Sequence, residues 1–327
     1  MTNTKSKHYD MMKVFATILV VIAHTTRMYT GNGVFVPIRE SVGLDIVTKV
    51  IYSFHMPLYM CISGMVYGFC IDTLNKYNDT IAFIKSKAIR LLIPYFAFGI
   101  LYVAPIMKLL NLTNESFVSY CLNGIILGLN SRHLWFIFAL FFVFVICAIT
   151  KKIVQNVNPI IMMVILLAFS YISGFLPAYF AINNILYYLF FFYVGYVVNK
   201  YYEQITKRIK HPVAICIFVV ILGVMLPYEN WPFRLAKAAS GIGITLGFVQ
   251  YVSPKICTTR VFNKLKSSAY GVYFFHPMII YFMFYVLHEC SINPYVLSML
   301  IIVISYIVSY FMTWLIRKLK LGIFIGE

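Results

Sequence analysis

The chain is organised as a succession of apolar runs about 20 residues long, each closed by a short polar break that usually carries Lys or Arg. A helix of about 20 apolar residues crosses the roughly 30 Å of bilayer hydrocarbon. Inside hydrocarbon every backbone polar group must be satisfied within the span, which leaves helices or closed barrels. Barrel strands alternate apolar and polar residues, whereas these runs are continuous, so helices are predicted. Ten spans follow: 11–30, 48–70, 88–109, 133–150, 159–176, 182–199, 212–228, 236–252, 268–288 and 294–316. The apolar piece 116–130 is short and ends in Gly128-Leu129-Asn130, which suits an interfacial or re-entrant helix. Linkers are short and no internal repeat is visible. The fold class read from the sequence is therefore all-α, a polytopic integral membrane protein with one domain over 1–327.

Charge gives the runs a direction. The net charge of +17 would suit a nucleic-acid partner by amount, but its distribution does not. With the N-terminus inside, 19 Lys and Arg fall in cytoplasmic breaks against 7 on the other side, these being Arg27, Arg39, Lys49, Lys108, Arg132, Arg234 and Lys237. That is the positive-inside pattern, with both termini cytoplasmic and anionic lipid as the partner of the basic breaks. An eleventh span at 116–130 would invert every later loop and erase the bias. The first run is too long for a signal peptide and lacks a small-residue cleavage site. The seven cysteines show no C-x-x-C spacing and read as apolar filler, and no metal-ligand spacing is present.

The first run contains a polar line. Lys13 and His24 are 11 residues apart and so point within about 20° of each other on a helix, with Asp10 and Thr17 close to the same line. The stretch from Lys13 to His24 is about 16 Å long. A charge or an imidazole inside hydrocarbon costs about 3 kcal/mol on insertion scales, so such residues are functional candidates. Other candidates lie in later runs: His55 before Met56-Pro57, His133 and Trp135 at the outer end of the fourth span, His276 before Pro277, and Lys85, Lys87 and Arg90 at the inner end of the third. Pro57 and Gly64 suggest a kink and a close helix approach. Purely structural roles stay open for each: interfacial anchoring for His55 and His133, a carbonyl partner beside proline for His276, positive-inside charge for Lys85–Arg90, and an i,i+3 ion pair for Asp10 and Lys13.

Taken in order, these blocks resemble the acyltransferase-3 family of integral membrane O-acyltransferases. Asp10-x-x-Lys13-x10-His24 resembles its first-helix motif, with Lys13 where Arg is usual. Ser53-Phe54-His55-Met56-Pro57 through Ser63-Gly64 resembles its second-helix block, in the branch similar to fucose 4-O-acetylases. Arg90-Leu91-Leu92-Ile93-Pro94-Tyr95, His133-Leu134-Trp135-Phe136 and Tyr273-Phe274-Phe275-His276-Pro277 match later blocks. The resemblance implies transfer of an acetyl or similar short acyl group from cytoplasmic acetyl-CoA to a hydroxyl of a cell-envelope or exported glycan, in a bacterial cell membrane. It implies a catalytic His24, acting as general base or through a covalent acyl-histidine relay, with Asp10 as structural support. Lys13, Lys85, Lys87 and Arg90 would meet the donor's phosphates, and His55, Ser63, His133, Trp135 and His276 would surround the acceptor. Lysine at position 13 keeps the charge and loses the bidentate fork of arginine.

A different class competes with this reading. A glycan or lipid-linked sugar transporter would also carry polar stripes and midplane histidines, but the hydropathy shows no inverted repeat or matched pair of broken helices. A sensor or structural subunit without chemistry is the third possibility.

Overall fold

The computed structural model describes residues 2–31, 40–252, 255–287 and 290–327. Arg39, counted above among the outer charges, lies outside them. Every regular element among the described residues is helical. In chain order the helices used below are α1 (Thr2–Thr26), α2 (Val42–Tyr52), α3 (His55–Gly68), α4 (Thr80–Leu109), α5 (Phe117–Ile126), α6 (Trp135–Ile149) and α7 (Pro159–Ile172). They continue as α8 (Ile182–Lys200), α9 (Tyr202–Ile209), α10 (Pro212–Met225), α11 (Trp231–Tyr251), α12 (Arg260–Leu287) and α13 (Pro294–Lys318).

Several helices start where a capping side chain precedes a proline. The Asn158 and Asn293 side chains accept the backbone N–H of Ile160 and Tyr295 at 2.8 and 2.9 Å, and Pro159 and Pro294 open α7 and α13. The cap satisfies one orphan donor, and proline at the first helical position has none to lose.

Seven helices are long and apolar enough to span a membrane, or eight if α9 and α10, bent by 78°, count as one span. The sequence reading of ten differs at two places. The run 159–176 becomes Pro159–Phe175, a shorter apolar helix. The run 236–252 is the C-terminal part of α11, which starts at Trp231 and includes Arg234 and Lys237. Lys237 is buried, and its ammonium is held by the Tyr228 carbonyl at 2.8 Å and Glu229 at 2.9 Å. The piece 116–130 forms the short helix α5, tied to its surroundings by Tyr95 Oη–H donating to the Ile125 carbonyl at 2.6 Å.

The polar breaks sort to two ends. Lys5, Asp72, Gln155 and Lys200, from four separate breaks, line one cavity. Arg27, Leu112, Arg132 and Ala178 line another. Breaks that the charge count assigns to one side thus meet in space.

With lipid as apolar as leucine, helix association rests on close packing and on small residues that let backbones approach. At the α3–α8 contact two glycines do this reciprocally. A Cβ on Gly64 would run into the Phe192 carbonyl, and a Cβ on Gly195 into the Cys61 carbonyl. The close approach expected at Gly64 is present. Pro57 falls in the first turn of α3, where its missing N–H costs nothing, and the irregularity lies at Ser53-Phe54, between α2 and α3.

Two inner prolines interrupt the backbone ladder, and side chains bond carbonyls beside each. Pro94 leaves the Arg90 carbonyl without its i+4 donor, and the Tyr270 hydroxyl donates to it at 3.1 Å. Around Pro277 in α12, the Phe275 carbonyl accepts from the Tyr102 hydroxyl at 3.2 Å. The other carbonyls of that turn are taken by histidines.

Candidate active site, a chamber lined by histidines

A cavity of about 640 Å³ opens where the ends of α1, α2, α6 and α8 converge, with His24, His55 and His133 on its wall. Its rim is built from backbone in the left-handed region: Arg132 (φ 51°) and Gly128 (φ 71°) line it, and Phe180 (φ 53°) and Ala181 (φ 55°) lie directly before α8. Non-glycine residues held there cost about 1–3 kcal/mol each, so the surrounding packing dictates the rim's shape.

Carbonyl partners fix three of the four histidines. His55 Nδ1 lies 2.9 Å from the Ile51 carbonyl, His276 Nδ1 2.7 Å from the Val272 carbonyl, and His133 Nε2 3.1 Å from the Phe274 carbonyl. A carbonyl only accepts, so each of these nitrogens carries the proton and donates. The other nitrogen of each neutral ring is then a bare acceptor. In His133 (Nδ1) and His276 (Nε2) it is buried without a hydrogen-bond partner. The Tyr273 hydroxyl, donating to the His133 carbonyl, braces the turn that leads into α6 against α12.

His24 differs from the other three. Among the described residues no hydrogen bond holds its ring, which packs edge to face on His276 with centroids 5.1 Å apart and on Tyr52 at 6.1 Å. His133 stands 6.1 Å from His276 on its other side, and Tyr52 is 4.8 Å from His55. The Arg27 guanidinium, one turn beyond His24, donates to the Tyr52 hydroxyl at 3.4 Å and lies 5.2 Å from that ring's centroid. This arrangement presents an unencumbered imidazole to a solvent-sized space, backed by rings whose own protons are already committed.

The predicted residues divide by location. His24, His55, His133 and Trp135 line the chamber, and His276 stands directly behind His24. Ser63 does not reach it. Its hydroxyl donates back to the Tyr59 carbonyl at 2.9 Å, about 12 Å along the helix from His55. Tyr59 in turn donates to Thr17 at 2.8 Å, and Thr17 to the Lys13 carbonyl at 2.8 Å, so the polar line of α1 is stitched to α3.

At the other end of α1, Asp10 pairs with Lys266 at 3.2 Å rather than with Lys13. Lys13 has no carboxylate within ion-pair distance among the described residues, and its charged neighbours are Asp10, Arg90, Lys266 and Glu327. Arg90 Nε donates to the Gly326 carbonyl at 3.0 Å. Lys87 turns into a group of rings, 4.3 Å from the Phe144 centroid and 5.3 Å from that of Phe83. Lys85 is exposed. Lys13 and Arg90 are thus brought together, with Lys87 beside them and Lys85 apart.

The sequence reading did not single out Tyr52, Asn184 and Tyr188 on the chamber wall, and it took Arg27 only as outer charge. Arg27 was within reach of it, lying three residues beyond His24 on the same helix face. Among the described residues no three His, Cys, Asp or Glu side chains are grouped so as to hold a metal ion.

Fold and chamber together define a multi-pass helical membrane protein with a polar, histidine-walled site buried among its spans. A family model described as an acyltransferase domain matches residues 7–318, and the chain belongs to this family, acyltransferase-3, whose members are membrane acyltransferases. No curated protein and no solved structure matches it.

Proposed function

We propose that this acyltransferase moves an acetyl or similarly short acyl group from acetyl-CoA on the cytoplasmic side to a hydroxyl of a cell-envelope or exported glycan, with His24 as general base. The observation that carries this is the contrast within the four histidines. Three are tied by N–H donation to carbonyls, while His24 alone faces the chamber with no hydrogen bond among the described residues. In this reading both termini are cytoplasmic, the chain sits in a bacterial cell membrane, and the chamber lies toward the outer face.

The chemistry is then a single transfer. His24 takes the proton of the acceptor hydroxyl as its oxygen attacks the thioester carbonyl. The C–O bond forms, the C–S bond breaks, and the proton passes from His24 to the departing CoA thiolate. The Tyr52 hydroxyl, receiving a hydrogen bond from Arg27, is polarised to donate to the oxyanion. His276, packed edge to face on His24, holds that ring in place so that a His24 nitrogen stays turned to the chamber. Lys13 and Arg90 meet the donor's phosphates at the inner end of α1, and the pantetheine arm reaches along the helix toward His24. Asp10 supports that end through Lys266. Apolar faces of a sugar ring suit Trp135 and Tyr188, whose centroids are 5.1 Å apart.

The test is transfer of labelled acetyl from acetyl-CoA by purified protein, together with mass spectrometry of surface glycans from cells with and without it. His24→Ala should abolish transfer while leaving the protein folded by size-exclusion chromatography. Undiminished O-acetylation by that variant overturns the assignment.

A further inference from the structure

Beside the chamber lies a second cavity of about 250 Å³, walled by Ser170, Tyr171, Asn183, Tyr187, Trp231 and Arg234. Asn184 and Tyr188 line both cavities, so the two adjoin across the first turns of α8. A ladder of flat groups joins them. Trp135 and Tyr188 are 5.1 Å apart, Tyr188 and Tyr187 4.9 Å, and the Arg234 guanidinium lies 5.0 Å from the Tyr187 ring. Each step is about the width of one pyranose ring.

The charge along this path has one sign. Arg27 and Arg132 line the chamber and Arg234 lines the annex, while no Asp or Glu lines either among the described residues. None of the three has a carboxylate within ion-pair distance among those residues. Lys237, one turn beyond Arg234, shows the contrast, because Glu229 neutralises it at 2.9 Å. Three guanidiniums with no carboxylate partner along an aromatic wall are what an anionic ligand would satisfy, since hydrogen bonds to charged groups are worth more than neutral ones.

We infer that the annex is an acceptor subsite for an acidic glycan. The unit to be acylated sits in the chamber, and a neighbouring unit bearing a carboxylate or phosphate sits in the annex on Arg234. The inference rests on the acyl-transfer reading for what happens in the chamber, but the annex itself is a binding site and is tested as one.

Binding is measured without acetyl-CoA, by intrinsic tryptophan fluorescence and by calorimetry, on the full chain in detergent. The probes are a tetragalacturonate, its uncharged methyl ester, and a glycerol-phosphate oligomer of similar length. Wild type should bind at least one anionic oligomer about tenfold or more tighter than the ester. Arg234→Gln should bring that ratio close to one, and Arg234→Lys should keep part of it at an unchanged melting temperature. Galacturonate preferred over glycerol phosphate would assign the charge to a uronic acid, and the reverse to a phosphodiester. Equal affinity for charged and uncharged forms, no binding of either anion, or a ratio untouched by Arg234→Gln overturns the inference. Since no donor is present, a failure of acetyl transfer would sink the proposed function while leaving this result intact.

Discussion

His24 and His276 meet edge to face with ring centroids 5.1 Å apart, and they come from the first long helix and the one that carries Pro277. His276 is completely buried, and its Nδ1 proton is committed to the Val272 carbonyl. The pair therefore reads as a base and the group that orients it.

Replacing His276 separates these roles. His276→Phe should lower kcat for acetyl transfer by about 10²-fold, the cost of a misplaced reacting group, with the KM for acetyl-CoA within about twofold of wild type. His276→Gln, which retains a polar side chain, should recover part of the loss. A raised KM with kcat unchanged would show that His276 touches a substrate instead.

At the far end of α1, Lys13→Ala should raise the KM for acetyl-CoA about tenfold or more, as expected for a lost charged contact, while Lys13→Arg stays near wild type. Steady-state kinetics at fixed acceptor concentration decides it. An unchanged KM in the alanine variant places Lys13 in packing and not in donor binding.

The hydrogen bond from Tyr270 to the Arg90 carbonyl exists because Pro94 brings no N–H. Tyr270→Phe should therefore cost about 1 kcal/mol in thermal stability in detergent. The same change made in a Pro94→Ala background should cost measurably less, since the alanine N–H can serve that carbonyl. Equal losses in the two backgrounds would dissociate tyrosine from proline.

Much of this architecture was legible in the sequence because it depends on local pattern. The apolar runs, the basic breaks and the line from Lys13 to His24 each need only one helix to be seen. Ser63 shows the limit: it belongs to a recognisable block, yet its hydroxyl turns back on Tyr59 within α3. Asn184, Tyr188 and Arg234 carry no signal of their own, since their neighbourhood is made by helices far apart in the chain. Arg234 and Lys237 look alike as sequence and differ only because Glu229 reaches one of them. The length of α11 was missed for a related reason, as the charges of its first turns find partners, Lys237 on Tyr228 and Glu229 just before the helix and Arg234 on the Tyr187 ring.

Gly64→Ala and Gly195→Ala should each lower the melting temperature in detergent, by the equivalent of about 1–3 kcal/mol, because the added methyl meets a main-chain oxygen that no rotamer can move aside. Either variant melting like wild type would show that α3 and α8 can part at that contact.

The same contact has a mechanical meaning. Where Gly64 and Gly195 meet main chain to main chain there is no side chain to reshuffle, so α3 and α8 are pinned there like a single post. His55 stands at the head of one and Asn184 and Tyr188 near the head of the other, so these groups hold station while substrates come and go. Across from that post the walls come from other parts of the chain, the 128–133 segment in the chamber and Trp231 and Arg234 of α11 in the annex.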